Sequence, residues 1–442
     1  MSYLDNILFA IVLIAGFAFF ASGVKKIIRN INLGIDVDRS DNPKARWKNM
    51  AMIALGQSKM VKRPIAGVLH IFVYVGFIII NIELLEIIID GLFGTHRIFA
   101  PYLGGVYDVL IASFEILAIL VIFAVTVFWI RRNLIRLKRF IHSDLNGFPK
   151  NDANYILYFE TVLMILFLLM NASDLHLQNV PGGVFHKAGS FPVSQFIAPI
   201  FNGMSNELVV ILFEVFWWLH IVGILCFMNY LYFSKHLHIL LAFPNTYFAD
   251  LKPKGQFDNL ASVTKEVKLM MDPNADPFAS PVDENAVPSK FGASDVQDLN
   301  WVQLLNAYTC TECGRCTSAC PANQTGKKLS PRKIMMDTRD RLQEVGKNID
   351  ANKGVFVPDN KTLLNDYITP EELWSCTSCN ACVEECPVNI SPLSIIMDMR
   401  RYLVMEQSAA PMSLNAMMTN IENNGAPWQY SQQDRLNWKN EN

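Results

Sequence analysis

A chain of 442 residues is long enough for two or three domains, and a hydrophobic share of 51% is high for a protein wholly surrounded by water. Its formal net charge of −2 leaves no basic surplus for a phosphate backbone, which excludes a nucleic-acid partner. Long apolar runs dominate the N-terminal half, whereas eight of the nine cysteines fall in the mixed, proline-punctuated remainder.

Five segments, near 6–24, 65–89, 106–130, 155–172 and 207–234, are apolar over the roughly 20 residues that a helix needs to cross a hydrocarbon core of about 30 Å. The first has its positive charges behind it, so it reads as a retained anchor and not as a cleaved leader. Lys25, Lys26, Arg29, Arg39, Lys44, Arg46, Lys48, Lys59, Lys62 and Arg63 follow it, and Arg131, Arg132, Arg136, Lys138 and Arg139 follow the third. The other two loops hold only Arg97 and Lys187. This asymmetry predicts an N-terminus outside a bacterial inner membrane and a cytoplasmic location for everything after Lys235. The C-terminal cysteines are then in a reducing compartment, where structural disulfides are rare.

Residues 245–300 shift to Pro, Asp, Lys and Ser, as in Asp272-Pro273-Asn274-Ala275-Asp276-Pro277, and predict a linker along the membrane domain. The expected division is a membrane unit over 1–244, that linker, a cysteine domain over 301–410 and a tail over 411–442. Asp298 to Tyr308 has a helical pattern that leads into Cys310-x2-Cys313-x2-Cys316-x3-Cys320-Pro321. The arrangement returns as Cys376-x2-Cys379-x2-Cys382-x3-Cys386-Pro387. This is bacterial ferredoxin spacing, in which the short gaps turn three thiolates toward three corners of one iron–sulfur cube. The fourth cysteine, set further off and followed by proline, reaches the other cube. Carried over from that motif, Cys310, Cys313, Cys316 and Cys386 hold one [4Fe–4S] cluster, and Cys376, Cys379, Cys382 and Cys320 the other. Zinc and disulfides are the plainer alternatives, and two four-cysteine runs each closed by proline fit them poorly.

Ser330-Pro331-Arg332-Lys333-Ile334-Met335-Met336-Asp337 recurs as Ser391-Pro392-Leu393-Ser394-Ile395-Ile396-Met397-Asp398. Serine caps with proline at the first helical position predict that each cysteine run opens into a helix, in a helical dicluster domain with internal two-fold symmetry. Arg339 and Arg400 hold matching places in the repeats. A solvated helix surface is the plain expectation for both, with balancing of cluster charge as the alternative.

Histidines in a bilayer are costly enough to suggest function. His220 and His238 are 18 residues apart, five turns of an unbroken helix, so they are expected on one face, with His236 on nearly the opposite one. One helix could thus give an axial ligand to each of two stacked haems. His70, near the same end as His238, is its expected partner; His96, His176 or His186 would have to fold in to complete a second haem at His220. A structural or interfacial histidine is the bland reading of each. Glu83 and Glu86 in the second span are candidate proton-relay residues, and Glu115, Glu160 and Glu214 are further intramembrane carboxylates; helix pairing or snorkelling is their bland reading. Cys226 reads as a small packing residue.

Leu219-His220, Leu237-His238-Ile239 and Leu69-His70-Ile71 resemble the haem-bearing gamma subunit of respiratory nitrate reductase, although Ile80 stands where that family has a further histidine. Tyr308-Thr309-Cys310-Thr311-Glu312-Cys313-Gly314-Arg315-Cys316 and Trp374-Ser375-Cys376 resemble the small dicluster subunit of heterodisulfide reductase and the membrane-bound electron-transfer-flavoprotein:menaquinone oxidoreductases. The resemblance implies an all-α protein, a five-helix transmembrane bundle followed by a cytoplasmic ferredoxin-like dicluster domain. It implies two [4Fe–4S] clusters, haem b at one site or two, and menaquinone as substrate. It also implies a partner chain with a CCG-type iron–sulfur domain, none being present before Asn442, and electron-transfer flavoprotein as a further partner. The expected function is electron transfer between a cytoplasmic partner and the quinone pool. The alternatives are a quinol-dependent supply to a disulfide-reducing partner, and a membrane anchor or redox sensor whose clusters are structural.

Overall fold

The computed structural model describes residues 3–181, 185–274 and 290–440. Among these residues the chain is all-α, with two isolated bridges and no strand. Five helices are long and apolar enough to cross a membrane: α1 (Tyr3–Ile31), α2 (Pro64–Phe93), α3 (Gly105–Asn133), α4 (Phe148–Gln178) and α5 (Asn206–Tyr230), the last prolonged by a 3-10 turn to Phe233. Each contains its expected segment and runs past it at one or both ends, because polar terminal turns lie outside the apolar stretch.

The bundle is built by α2 on α3, α3 on α4 and α4 on α5, with α1 against α2 and α5. Of the most apolar window of α1 only 6% is buried, against 44% for α4. α1 is therefore an edge helix, and its exposed Ile7, Leu8, Ile11 and Ile14 suit lipid and not water. Two glycines allow the closest approaches: a Cβ on Gly91 would lie 2.6 Å from the Phe9 ring, and one on Gly76 would lie 2.7 Å from Val121 Cγ2.

The helix expected to continue from His220 to His238 is broken. After Phe233, Ser234 takes an extended conformation (φ −109°, ψ 147°), and a 3-10 turn leads into α6 (His238–Tyr247). Ser234 Oγ accepts from His236 N at 3.0 Å, and Asp152 accepts from Tyr230 Oη at 2.7 Å and from Lys235 N at 3.2 Å. These polar groups offer the backbone better partners than another helical turn would.

Of the stretch expected as a linker, residues 275–289 lie outside the described residues. Residues 290–300 fold back on the cysteine domain, with Ala293 N donating to Asp398 O at 3.0 Å and Asp295 paired with Arg341 at 2.8 Å. The domain itself is made by α7 (Trp301–Thr309), α8 (Arg315–Ala319), α9 (Pro331–Ala351), α10 (Ala381–Glu385) and α11 (Pro392–Met405). Ser330 and Ser391 cap α9 and α11 as their sequences indicate, accepting from Lys333 N at 3.3 Å and Ser394 N at 3.4 Å. One apolar core runs through Ile27, Ile31, Leu231 and Leu237 of the bundle into Leu304, Leu305, Tyr308 and Cys310, seating the cysteine domain on the end of the bundle that bears the basic loops.

Candidate functional site

The two cysteine runs wrap by the same device. Glu312 (φ 54°) and Gly314 (φ 70°) in the first match Ser378 (φ 57°) and Asn380 (φ 59°) in the second. Alternating left-handed turns bring successive backbone N–H groups toward one side, which makes a concavity for an anionic cluster. Ser378 N donates to Cys376 Sγ at 3.4 Å and Ile390 N to Cys386 Sγ at 3.3 Å. α8 and α10 follow the turns and pack together.

All nine cysteines are free thiols. Cys386 lies within electrostatic reach of Cys313 and Cys316, and Cys320 within reach of Cys376 and Cys382, so each fourth cysteine crosses to the other run. Among the described residues no three such donors converge closely enough for a single metal ion. The thiols ring a space and not a point, which suits a four-iron cube better than one tetrahedral zinc. Burial pushes Cys310 and Cys382 up to about 12 and Cys386 up to about 11. Thiolates there need a cation to hold them, so the donor set fits iron–sulfur clusters.

The cysteine domain is clamped to the bundle by charge. Lys235, just after the fifth span, pairs with Glu312, which also pairs with Arg339 at 2.8 Å. Burial alone would raise the Glu312 carboxyl, but Lys235 and Arg339 outweigh it and hold it below its ordinary range. Arg332, fully buried, pairs with Asp144 and donates to Arg139 O at 2.6 Å. Lys59 Nζ donates to Val383 O and Cys386 O, both at 3.2 Å. Two expectations are corrected here: Arg339 and Arg400 are not solvated. Arg339 is held by Glu312, while Arg400 donates to Leu373 O (3.0 Å) and Cys376 O (2.5 Å) with its guanidinium 4.9 Å from the Trp374 ring. Both sit on the motifs because the preceding turns bring the chain back over them.

A cavity of about 480 Å³ runs from the middle of the bundle to the first cysteine run, lined by His70, His220, His236, His238, Glu83, Glu160, Arg131, Arg132, Arg139 and Cys313 among others. The His70 and His238 ring centroids are 6.5 Å apart, with planes at 45°. Two imidazoles sharing one iron, each with a metal–nitrogen bond of about 2 Å, place their centroids roughly 6 Å apart. His238 Nδ1 lies 3.2 Å from Lys235 O, which leaves Nε2 for a metal. Nδ1 of His70 and of His220 is buried without a partner. The residues thus fit a bis-histidine haem at His70 and His238.

His236 is not on an opposite face: the break at Ser234 turns it into the same cavity, with Nε2 3.5 Å from Glu160 Oε1. His96, His176 and His186 do not reach His220. His96 pairs with Asp174 at 3.2 Å, His176 lies against Phe201, and His186 is exposed. Glu83 lines the cavity with Oε2 unpartnered. Glu86 stands behind it, accepting from Phe99 N at 2.9 Å and Tyr107 Oη at 2.7 Å, in a buried network centred on Arg97 and Asp174. Glu115 caps a loop through Val193 N and Ser194 N, whereas Glu214 and Cys226 are exposed on the outside of the bundle. Glu312, Lys235, Asp144 and Arg332 were not singled out from sequence as one group, since their partners are far apart along the chain and no spacing links them.

Fold and site together define a membrane protein of the iron–sulfur electron-transfer class, all-helical, with a dicluster domain on one end of its bundle. Residues 309–390 match the 4Fe-4S dicluster domain family. The chain is similar to a probable iron-sulfur-binding oxidoreductase, FadF, of Bacillus subtilis, with 30% identity over 99% of this chain and 61% of the relative. It is similar to an EtfAB:quinone oxidoreductase of Syntrophomonas wolfei, with 24% identity over 92% of this chain and 55% of the relative. Its cysteine domain is similar to one of the subunits of a ferredoxin/F(420)H(2)-dependent CoB-CoM heterodisulfide reductase of Methanosarcina acetivorans, at 34% identity over 24% of this chain and 52% of the relative. The chain thus spans 61% and 55% of the lengths of the first two. No solved structure matches. Relatives that are oxidoreductases and reductase subunits support an oxidoreductase subunit here.

Proposed function

We propose that this chain links a redox partner on its cysteine-domain side with menaquinone in the bilayer, through two [4Fe–4S] clusters and b-type haem. The observation that carries the reading is the His70–His238 pair, set about one iron apart in a cavity that runs on to Cys313. When bound, the clusters and the haem supply one-electron carriers along that line. Cys310, Cys313, Cys316 and Cys386 hold the cluster nearer the cavity, and Cys376, Cys379, Cys382 and Cys320 the other. His70 and His238 hold the haem, a reading supported by the resemblance of their flanking residues to the nitrate reductase gamma subunit. His220, which has no facing histidine, is assigned to the quinone end of the cavity. Quinone reduction takes up protons with its electrons, and Glu83, open to the cavity with Glu86 behind it, is placed to hand one over.

The relative that is an EtfAB:quinone oxidoreductase favours electron-transfer flavoprotein as donor. The heterodisulfide reductase relatives favour a second reading, in which quinol supplies a disulfide-reducing partner with a CCG-type domain. Menaquinol and reduced flavoprotein, offered in turn, separate the two by which of them reduces the haem. Detergent-extracted full chain is expected to show a b-type haem band and two reduced-cluster EPR signals. His70→Ala and His238→Ala should abolish the haem band while both cluster signals persist. Wild-type protein with no b-type band would end the haem part of the reading.

A further inference from the structure

Most of the deeply buried arginines of the chain have an anionic partner. Arg46 pairs with Asp41, Arg97 with Asp174, Arg332 with Asp144, and Arg341 with both Asp295 and Asp359. Arg315 is held instead by two carbonyls, Lys59 O and Met60 O, each at 3.3 Å. Two half-buried arginines where the bundle meets the cysteine domain are less well served. Nε of Arg132, and both Nε and Nη1 of Arg139, are buried with no hydrogen-bond partner, and among the described residues neither guanidinium has an ion pair. Arg132 keeps one contact, Nη2 donating to Lys150 O at 3.3 Å. Both stack on Phe140, at 5.3 Å and 4.8 Å from its centroid, which fixes them without neutralising them. Buried, uncompensated cationic nitrogens are costly, so the arrangement calls for an anion that is not part of the polypeptide.

The place of the two side chains says which anion. Both line the cavity that holds His70 and His238. Arg132 belongs to the last turn of α3, where the helix dipole favours cations but supplies no counter-charge within hydrogen-bond reach. Arg139 is held on the first cysteine run: its carbonyl accepts from Arg332 Nη1 at 2.6 Å, and a Cβ on Gly314 would lie 3.3 Å from Arg139 Cβ. A flat ring held between two imidazoles, with two carboxylates on one edge, offers one anion to each guanidinium.

We infer that Arg132 and Arg139 receive the propionate carboxylates of the porphyrin held by His70 and His238. The inference rests on the haem reading above and adds to it an orientation: the acidic edge of the macrocycle turns toward Cys313 and the first cluster, and the apolar edge toward Phe167 and His220. The same guanidiniums could instead hold the phosphate of a phospholipid, and the test separates the two sources.

The test uses full-length protein in detergent, as wild type, Arg132→Gln, Arg139→Gln and the double variant, each first shown to keep both cluster signals. Haem retained after extensive dilution, and its midpoint potential, are the readouts. The variants are expected to keep a bis-histidine spectrum, to lose haem roughly tenfold or more faster, and to shift to a lower potential, because removing a nearby cation disfavours the reduced haem. Arg→Lys at either position should restore part of both. Wild-type protein reconstituted with the haem dimethyl ester should behave like the double variant, and the substitutions should have no further effect on it. Variants that match wild type in retention and potential would overturn the inference while leaving the haem reading intact. So would a haem loss that follows phospholipid removal and ignores the ester. Wild-type protein without haem would instead overturn the reading beneath it, and the inference with it.

Discussion

Asp144 and Arg332 lie 188 positions apart, yet they form one of the buried charge pairs that seat the cysteine domain. Burial by itself would raise the Asp144 carboxyl; Arg332, aided by Ser330 and His142, outweighs it and holds it below its ordinary value. A carboxylate depressed in the folded state contributes stability that is present above its unfolded pKa of about 3.9 and is lost as pH falls through the folded value. Acidification below about 4 is therefore expected to loosen α9 from the 143–145 turn. Asp144→Asn leaves Arg332 buried beside a neutral amide and should cost about 3 kcal/mol at pH 7. Thermal melts across pH would show it, as a variant whose stability changes less than that of the parent on going into acid. Of such residues only the cysteines were legible from the chain, because cluster ligation imposes a spacing and ion pairing imposes none. Arg339 and Arg400 look like any exposed basic side chain of a helix until the turns that fold back over them are known.

At the scale of elements, the paired left-handed turns separate what spacing dictates from what the backbone allows. Gly314 has φ +70°, and a Cβ there would lie 2.6 Å from Arg332 Nη1 and 3.2 Å from Arg139 O. Gly314→Ala should cost about 1–2 kcal/mol for the left-handed conformation alone, with the crowding added. Asn380, at φ +59°, is already in that conformation, so Asn380→Gly should be close to neutral. Iron bound per chain after purification reads the difference: lowered for Gly314→Ala and unchanged for Asn380→Gly. The five spans and the two serine-capped helices were readable because apolar length and capping chemistry are local. The break after Phe233 was not. Periodicity alone carried α5 through to His238, whereas the stop depends on Asp152, which arrives from α4 to take Tyr230 Oη and Lys235 N.

For the molecule as a whole, the basic loops and the cysteine domain share one end of the bundle, and Tyr102, 81% exposed, lies at the other. Read with the loop charges, this places Tyr102 outside the cell and Met412, 86% exposed, inside it. Tyr102→Cys should react with an impermeant maleimide in intact cells, and Met412→Cys only after lysis. The reverse pattern would invert the proposed topology. Sequence conveyed the two halves and their order; it did not convey that they share a core. That contact joins Ile27 and Leu231, which read as membrane residues, to Tyr308 and Cys310, which read as a separate soluble unit.

That shared core has a kinetic consequence. Electron tunnelling falls off exponentially with the gap between carriers, so a joint that flexed by a few ångströms would make the rate rise and fall with every fluctuation. Here tightly packed side chains set the gap between Cys313 and the His70–His238 pair, and close packing yields little to thermal motion. The conducting line is built as a rigid wire and not as a swinging arm, so traffic along it should be paced by the arrival of reactants at its two ends.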